Sequence, residues 1–179
     1  MKVQYEHPTQ LLASTFLRAV ADDDATVVWE RLSRETRGLL EGLYASRAAL
    51  ALARAAGVAP AEDDARLREA VAPLRESVLR VIGGAERLRA LGVSAARLVD
   101  RATAYVLILP DFGEERIVAE ADWKPAHLLA FVHESREWLL DLARTAALSA
   151  DAELPDPLGD IRVFEGGTLG AGGAGPDET

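Results

Sequence analysis

Apolar residues in the N-terminal half of the chain recur three to four positions apart, the period of an amphipathic helix. The pattern predicts a first helix from Pro8 to the acidic run at 22–24, and further helices at about 25–32, 34–56 and 62–82. Pro8 suits a first helical turn, and Ser33 can cap the third helix. Pro73 should strain or bend the fourth helix, which Gly83 and Gly84 end.

The period changes in the second half of the chain. Residues 95–109 are rich in strand-forming residues and hold a turn or bulge at Asp100-Arg101. A turn at 110–113 and a returning strand at 115–121 should follow, and then strands at 128–134 and 137–142. Helices followed by an antiparallel meander indicate an α+β fold with helices on one side of a sheet.

The stretch LLAFVHESREWLLDLA, residues 128–143, predicts a hairpin around Ser135-Arg136. With a two-residue loop, the opposed pairs are Glu134–Glu137, His133–Trp138, Phe131–Leu140 and Leu129–Leu142. Alternate residues share a face, so one face holds His127, Leu129, Phe131, His133, Trp138, Leu140 and Leu142, and the other holds Leu128, Ala130, Val132, Leu139 and Asp141. Both faces are largely apolar, whereas a sheet covered on one side alternates. We therefore expect a partner sheet on the second face, and a homodimer.

The bulk composition excludes several classes of protein. A chain of 179 residues suits one domain, and it has neither an 18-residue apolar run nor a signal-peptide pattern. Cysteine is absent, which fits a reducing compartment, and we expect a cytoplasmic protein. The net charge of −9 is concentrated in residues 150–179, which hold seven acidic residues and one basic residue. A nearly balanced body with an acidic tail argues against nucleic-acid binding, and we expect no membrane attachment.

Two segments carry a family resemblance: LASTFLRAVADDDATVVWERLSRETRGLL near the start, and ADWKPAHLLAFVHESREWLLDLA near the end. They resemble the nuclear transport factor 2-like superfamily, in particular bacterial members. This superfamily includes SnoaL-like polyketide cyclases, ketosteroid isomerase and limonene epoxide hydrolase. The resemblance covers about residues 8–146 and implies N-terminal helices packed on a curved antiparallel sheet, a cone-shaped, cystatin-like roll whose convex face often forms a dimer. It implies a domain at 1–148, and the composition of residues 149–179 indicates an acidic Gly/Pro-rich tail. The helical segment 58–91 departs from the smallest members and could lie across the cavity mouth.

Three residues are candidates for acid–base chemistry. His127 can titrate near neutral pH, although it can equally be a half-buried polar residue at the start of a strand. Asp141 interrupts an apolar strand and would be a base or acid in a dry cavity, or an ion-pair partner on the convex face. Tyr105 could donate to an oxyanion inside the cone, or pack in the core. His133 is either a fourth candidate or a rim residue stacked on Trp138.

Candidate ligand-binding residues are the aromatic side chains Trp29, Phe131 and Trp138, for which packing is the competing interpretation. The three histidines show no metal-ligand spacing, and no cofactor motif is present, so we expect neither a metal nor a cofactor. GGTLGAGGAG lacks the flanking strand, helix and lysine of a phosphate-binding loop.

The tail contains one short apolar segment, Ile161-Arg162-Val163-Phe164, in which the apolar residues are Ile161, Val163 and Phe164. Such a segment can dock as a strand on a sheet edge, in a protein partner, in a second copy or in its own domain.

The predicted fold and the candidate residues are compatible with two functions. The first is a non-enzymatic, homodimeric binding or interaction module that can hold a small apolar ligand. The alternative is a cofactor-free isomerase, cyclase or epoxide hydrolase, which needs His127, Asp141 or Tyr105 to converge in one water-excluded pocket. A third possibility, an all-helical regulator, requires region 95–121 to be helical.

Overall fold

A computed structural model describes residues 6–47, 64–109, 126–159 and 161. The helices are α1 (Pro8–Asp22), α2 (Ala25–Glu30), α3 (Arg34–Arg47), α4 (Asp64–Ile82), α5 (Ala85–Arg89) and α6 (Leu142–Asp151). The strands are β1 (Gly92–Val93), β2 (Arg97–Leu98), β3 (Thr103–Leu109), β4 (His127–Glu134) and β5 (Glu137–Leu140). They form one antiparallel sheet in the order β1-β3-β4-β5, with β2 also paired to β3. The fold is α+β, as predicted, with N-terminal helices and a strongly curled, half-barrel sheet.

The starts of the first helices follow the sequence pattern closely. Pro8 begins α1, and Asp23 ends it in a left-handed conformation, with φ of 59°. Asp24 then caps α2, because its Oδ1 accepts a hydrogen bond from the Val27 amide at 3.1 Å. The break therefore arises from two neighbouring aspartates, of which one ends a helix and the other begins the next.

The second helix is shorter than predicted. It ends at Glu30, and residues 31–33 run parallel to β5 instead of continuing the helix. The Leu140 amide donates to the Arg31 carbonyl at 2.7 Å, and the Ser33 amide donates to the Leu140 carbonyl at 2.8 Å. The apolar periodicity predicted one more turn of α2, but residues 31–33 pair with the edge of the sheet instead.

The bounds of the later helices differ from those predicted from the sequence. The described part of α3 ends at Arg47, so the rest of the predicted helix at 34–56 lies outside the described residues. Pro73 lies inside α4 without ending it, and Gly83 and Gly84 follow that helix with positive φ angles. The short helix α5 had no clear signal in the pattern.

The sheet confirms most of the predicted pairing. Residues 99–102 form the expected turn between β2 and β3, and the described strand at 103–109 removes the all-helical alternative. The loop residues Ser135 and Arg136 both have positive φ, as a two-residue type I′ turn requires. Three of the four predicted pairs across that loop are present, namely Glu134–Glu137, His133–Trp138 and Phe131–Leu140. The turn at 110–113 and the strand at 115–121 lie outside the described residues.

The fourth pair, Leu129–Leu142, was a wrong prediction. Strand β5 ends at Leu140, and Leu142 is the first residue of α6. The reason is Asp141, whose carboxylate accepts from the Arg144 amide and so caps a helix rather than extending a strand. The apolar neighbours of Asp141 predicted a strand there, but Asp141 lies between the end of β5 and the start of α6.

Both faces of the sheet are largely buried within one chain. The inner face joins the helices in one core, to which the sheet contributes Val106, Ile108, Leu129, Phe131 and Leu140. On the other face, Leu128, Ala130 and Leu139 are also buried, and α6 packs against β4. The sequence pattern correctly predicted that both faces are apolar. The second face was expected to be covered by a partner sheet, but the chain itself covers most of it.

The compact part of the chain extends past the predicted domain boundary at 148. That boundary falls inside α6, and both Leu158 and Ile161 are buried in the core. The Ser77 hydroxyl of α4 donates to the Pro157 carbonyl at 3.3 Å. The first part of the predicted tail is therefore anchored on the domain, at least to Ile161.

Candidate functional site

The Asp141 carboxylate lies at the junction of α3 and α6 and is only 2 % exposed. Its Oδ2 accepts the Ser33 hydroxyl at 2.7 Å, and its Oδ1 accepts the Arg144 amide at 2.8 Å. The Asp141 amide donates to the Ala130 carbonyl at 3.0 Å. Because both carboxylate oxygens already have donors from the protein, Asp141 serves first as a structural cap.

Two threonines complete a network around this carboxylate. The Thr36 hydroxyl oxygen accepts the Leu142 amide at 3.0 Å and lies 2.9 Å from the Ser33 hydroxyl oxygen. Since the Ser33 proton points to Asp141, the Thr36 hydroxyl donates to Ser33. The Thr145 hydroxyl donates to the Asp141 carbonyl and accepts the Ala130 amide. Helices α3 and α6 thus begin side by side: Thr36 of α3 accepts the first amide of α6, and Asp141 holds the Ser33 hydroxyl, whose oxygen accepts the Thr36 amide at the start of α3.

His127 lies at the start of β4 and is half-buried. Its Nδ1 lies 3.1 Å from the Pro155 carbonyl oxygen, and since a carbonyl only accepts, Nδ1 carries the proton. Burial lowers the pKa of His127, and the Pro155 contact and the Asp156 charge oppose that shift. Burial also raises the pKa of the Asp156 carboxyl, although the Leu158 amide and His127 oppose this. This environment favours the neutral forms of both groups.

Tyr105 does not meet His127. Tyr105 is paired with Ala130, whereas His127 is paired with Ile108, three positions further along β3. Directly opposed residues share a face and successive residues alternate, so Tyr105 and His127 point to opposite faces of the sheet. The three predicted acid–base candidates are therefore distributed over two sheet faces and a helix junction.

The predicted ligand-binding aromatics have different surroundings. Trp29 and Phe131 are buried in the hydrophobic core, where a ligand would have to displace packed side chains. Trp138 is half-buried and lies between two imidazoles. Its ring centroid is 5.3 Å from that of His7 and 5.1 Å from that of His133, both in edge-to-face geometry. The predicted contact between His133 and Trp138 is present, and His7 joins it from the start of α1.

A groove of about 400 Å³ lies where α4 crosses the corner between α1 and α2. Its apolar surface includes Ala19, Val28, Val71 and Ala72. Its charged lining carries both signs: Asp23, Asp24, Glu69, Glu76, Arg68 and Arg75. None of the predicted site residues that the structure describes lines it.

This groove was not among the predicted sites, although the sequence of α4 carries a pattern for one of its walls. On α4, Arg68, Ala72 and Arg75 recur at helical spacing, with Glu69 and Glu76 beside them. Such a pattern is typical of a solvated helix face. Only the crossing of α1 and α2 turns this face into one wall of a groove.

In the described part of the chain, no group of three or more His, Asp or Glu side chains is close enough to hold a metal ion. No described helix has the length and apolar character needed to cross a membrane. Of the predicted docking residues, Ile161 is buried in the domain core, whereas Val163 and Phe164 lie outside the described residues.

Comparison with known proteins gave no match: no family model, no curated protein and no solved structure is similar to the chain.

Proposed function

We propose that this protein is a non-enzymatic, homodimeric interaction module of the nuclear transport factor 2-like type. The observation that carries the proposal is the position of Asp141. This carboxylate, one of the three catalytic candidates in the sequence, is buried and engaged by Ser33 and the Arg144 amide. A general acid or base must reach a substrate proton. Asp141 would have to leave its capping position to do so.

The proposed dimer surface is the part of the second sheet face that the chain covers least. Tyr105, Leu107 and Val132 are half-buried on neighbouring positions of β3 and β4. An apolar patch of this kind, continuous with buried residues, is the usual core of a homodimer interface. A second copy would complete the burial of these side chains.

The molar mass in solution tests this proposal. We expect light scattering to give twice the 19.2 kDa chain mass. Val132→Lys should shift the mass to that of one chain, because a charge would be buried in the apolar interface. The matched control is Leu11→Lys, since Leu11 is 54 % exposed on α1 and away from the patch. A wild-type protein that stays monomeric over a wide concentration range would contradict the dimer.

The alternative, a cofactor-free isomerase, cyclase or epoxide hydrolase, is favoured by one observation. His127 and Asp156 form a half-buried pair, in which burial lowers the pKa of the imidazole and raises the pKa of the carboxyl. Pairs of titratable groups with shifted pKa values are common at active sites. A fragment screen by NMR would favour the enzyme if chemical-shift changes cluster at His127 and Asp156 and disappear in His127→Gln.

A further inference from the structure

The groove between α4 and the α1–α2 corner has an apolar floor and a charged rim. Val28 and Val71 are buried beneath it, and the small side chains of Ala25 and Ala72 leave it open. Its volume of about 400 Å³ lies within the range of small-molecule sites, which are mostly apolar and carry a few polar groups. The floor is therefore suited to the apolar body of a small ligand.

One pair of charges on the rim is already engaged within the protein. Arg75 Nε lies 3.0 Å from Asp23 Oδ1 and donates to the Val20 carbonyl at 3.1 Å. The two charges neutralise each other, and the guanidinium ties α4 to the end of α1. Arg75 and Asp23 thus hold the two walls of the groove together.

The rest of the rim has an excess of negative charge. The carboxylates of Asp24, Glu69 and Glu76 remain, against the single guanidinium of Arg68. Glu69 and Glu76 are exposed and form no ion pair with another described residue. Asp24 uses its Oδ1 to cap α2, and its Oδ2 has no hydrogen bond to the described residues. The charge of the rim therefore favours a cation over an anion.

The two glutamates flank the most open point of the groove. Ala72 lies three residues after Glu69 and four residues before Glu76, so both carboxylates are its neighbours on the helix surface. The methyl group of Ala72 leaves the space between them empty. A cationic group above Ala72 would lie within reach of both carboxylates, directly beside the apolar floor.

We propose that this groove binds a small organic cation with an apolar body, such as an arylalkylamine. The apolar body lies on Val28 and Val71, and the ammonium lies over Ala72, where Glu69 and Glu76 accept its protons. A neutral molecule of the same shape gains only the apolar contact, and a carboxylate is repelled. The site is separate from the sheet surface of the proposed dimer, so it adds a ligand to the interaction module.

Titrations of the full chain followed by amide NMR signals test this inference with three probes that share a phenyl ring: 2-phenylethylamine, 2-phenylethanol and 3-phenylpropanoate. We expect the amine to shift signals in residues 23–28 and 65–76, with a dissociation constant of about 1 mM, as is typical for so small a ligand. The alcohol should bind about threefold more weakly and the carboxylate about tenfold more weakly. Sodium chloride at about 0.5 M should reduce these differences.

Two sets of variants locate the binding. Ala72→Phe should abolish the shifts, because its ring fills the space above the floor. The matched control is Val81→Phe, since Val81 is 37 % exposed and lies nine residues further on, on the opposite side of α4. Glu69→Gln combined with Glu76→Gln should weaken binding of the amine about tenfold and leave binding of the alcohol unchanged. This second set keeps the test decisive if Ala72→Phe fails to fold.

Three results would overturn the inference. The first is an absence of shifts at about 10 mM amine, ten times the expected constant. The second is an amine response that persists in Ala72→Phe or in the double glutamine variant, which would place the binding elsewhere. The third is a carboxylate that binds as tightly as the amine, which would assign the groove to Arg68 rather than to the glutamates. None of these outcomes depends on the molar mass in solution, so the dimer and the ligand site are tested separately.

Discussion

The Ser33 hydroxyl donates to the Asp141 carboxylate at 2.7 Å, which joins two residues that are 108 positions apart in the chain. Ser33 precedes α3 and Asp141 precedes α6, so this one contact ties two helix N-termini together. Thr36 strengthens the junction because its hydroxyl accepts the first amide of α6. The contact therefore couples the N-terminal helices to the end of the sheet.

We expect Asp141→Ala to lower the free energy of unfolding by about 2–3 kcal/mol, because it removes a helix cap and leaves the Ser33 hydroxyl without its acceptor. Asp141→Asn should cost less, since asparagine also caps helices. The control is Asp24→Ala, which removes an exposed cap and should cost about 1 kcal/mol. In a double-mutant cycle with Ser33→Ala we expect a coupling energy of about 1 kcal/mol by urea denaturation. Additive losses would show that the contact contributes nothing of its own.

The stability of the protein should fall as the pH decreases through 6.5. The folded state lowers the pKa of His127 from its ordinary value of 6.5. The folded protein therefore binds fewer protons than the unfolded chain between those two pKa values, and protonation favours unfolding there. We expect His127→Gln to flatten this part of the curve when urea denaturation is repeated across pH.

Asp156 should have the opposite effect at lower pH. Its pKa is raised above 3.8 in the folded state, so the folded protein binds the extra proton first and gains stability as the pH falls through that raised value. Asp156→Asn should remove this gain, and asparagine keeps an oxygen that can accept the Leu158 amide. A stability curve that is identical for Asp156→Asn and the wild type would rule out the shift.

Ser149→Ala should leave the protein as stable as the wild type or up to about 1 kcal/mol more stable. The Ser149 hydroxyl is buried in α6 and finds no hydrogen-bond partner among the described residues. Burying an unpaired hydroxyl costs free energy, and alanine also has the higher helix propensity. Ser77→Ala is the matched control, because it removes a hydroxyl that is bonded to Pro157. A large loss in Ser149→Ala by thermal denaturation would mean that this hydroxyl has a partner in solution.

Arg136→Gly should raise the free energy of unfolding by about 1 kcal/mol. Arg136 occupies the second position of the hairpin loop with φ of 74°, a conformation that glycine adopts without steric cost. Arg136→Ala keeps the cost of a side chain and serves as the control. Equal stability of the two variants in guanidinium denaturation would contradict the assignment of strain to this residue.

Much of the fold follows from local signals. The helix break at Asp23 and Asp24 and the hairpin at Ser135-Arg136 each depend on a few neighbouring residues with strong conformational preferences. The apolar pattern of β4 also indicated correctly that both faces of the sheet are buried. Asp141 shows the limit of this reasoning: a capping residue inside an apolar run can end a strand or interrupt it, and the sequence pattern favoured the wrong outcome.

The candidate sites depend on contacts between distant segments. Nothing near Asp141 in sequence indicates Ser33 as its partner, and nothing near Ala72 indicates that α1 and α2 form the opposite wall of a groove. Local sequence by itself determined where helices and strands begin and which side chains must leave water, because caps, turns and apolar periodicity act over a few residues. Only the tertiary structure decided what covers each surface and which polar groups meet, because burial and hydrogen bonding depend on segments that approach only when the whole chain has folded.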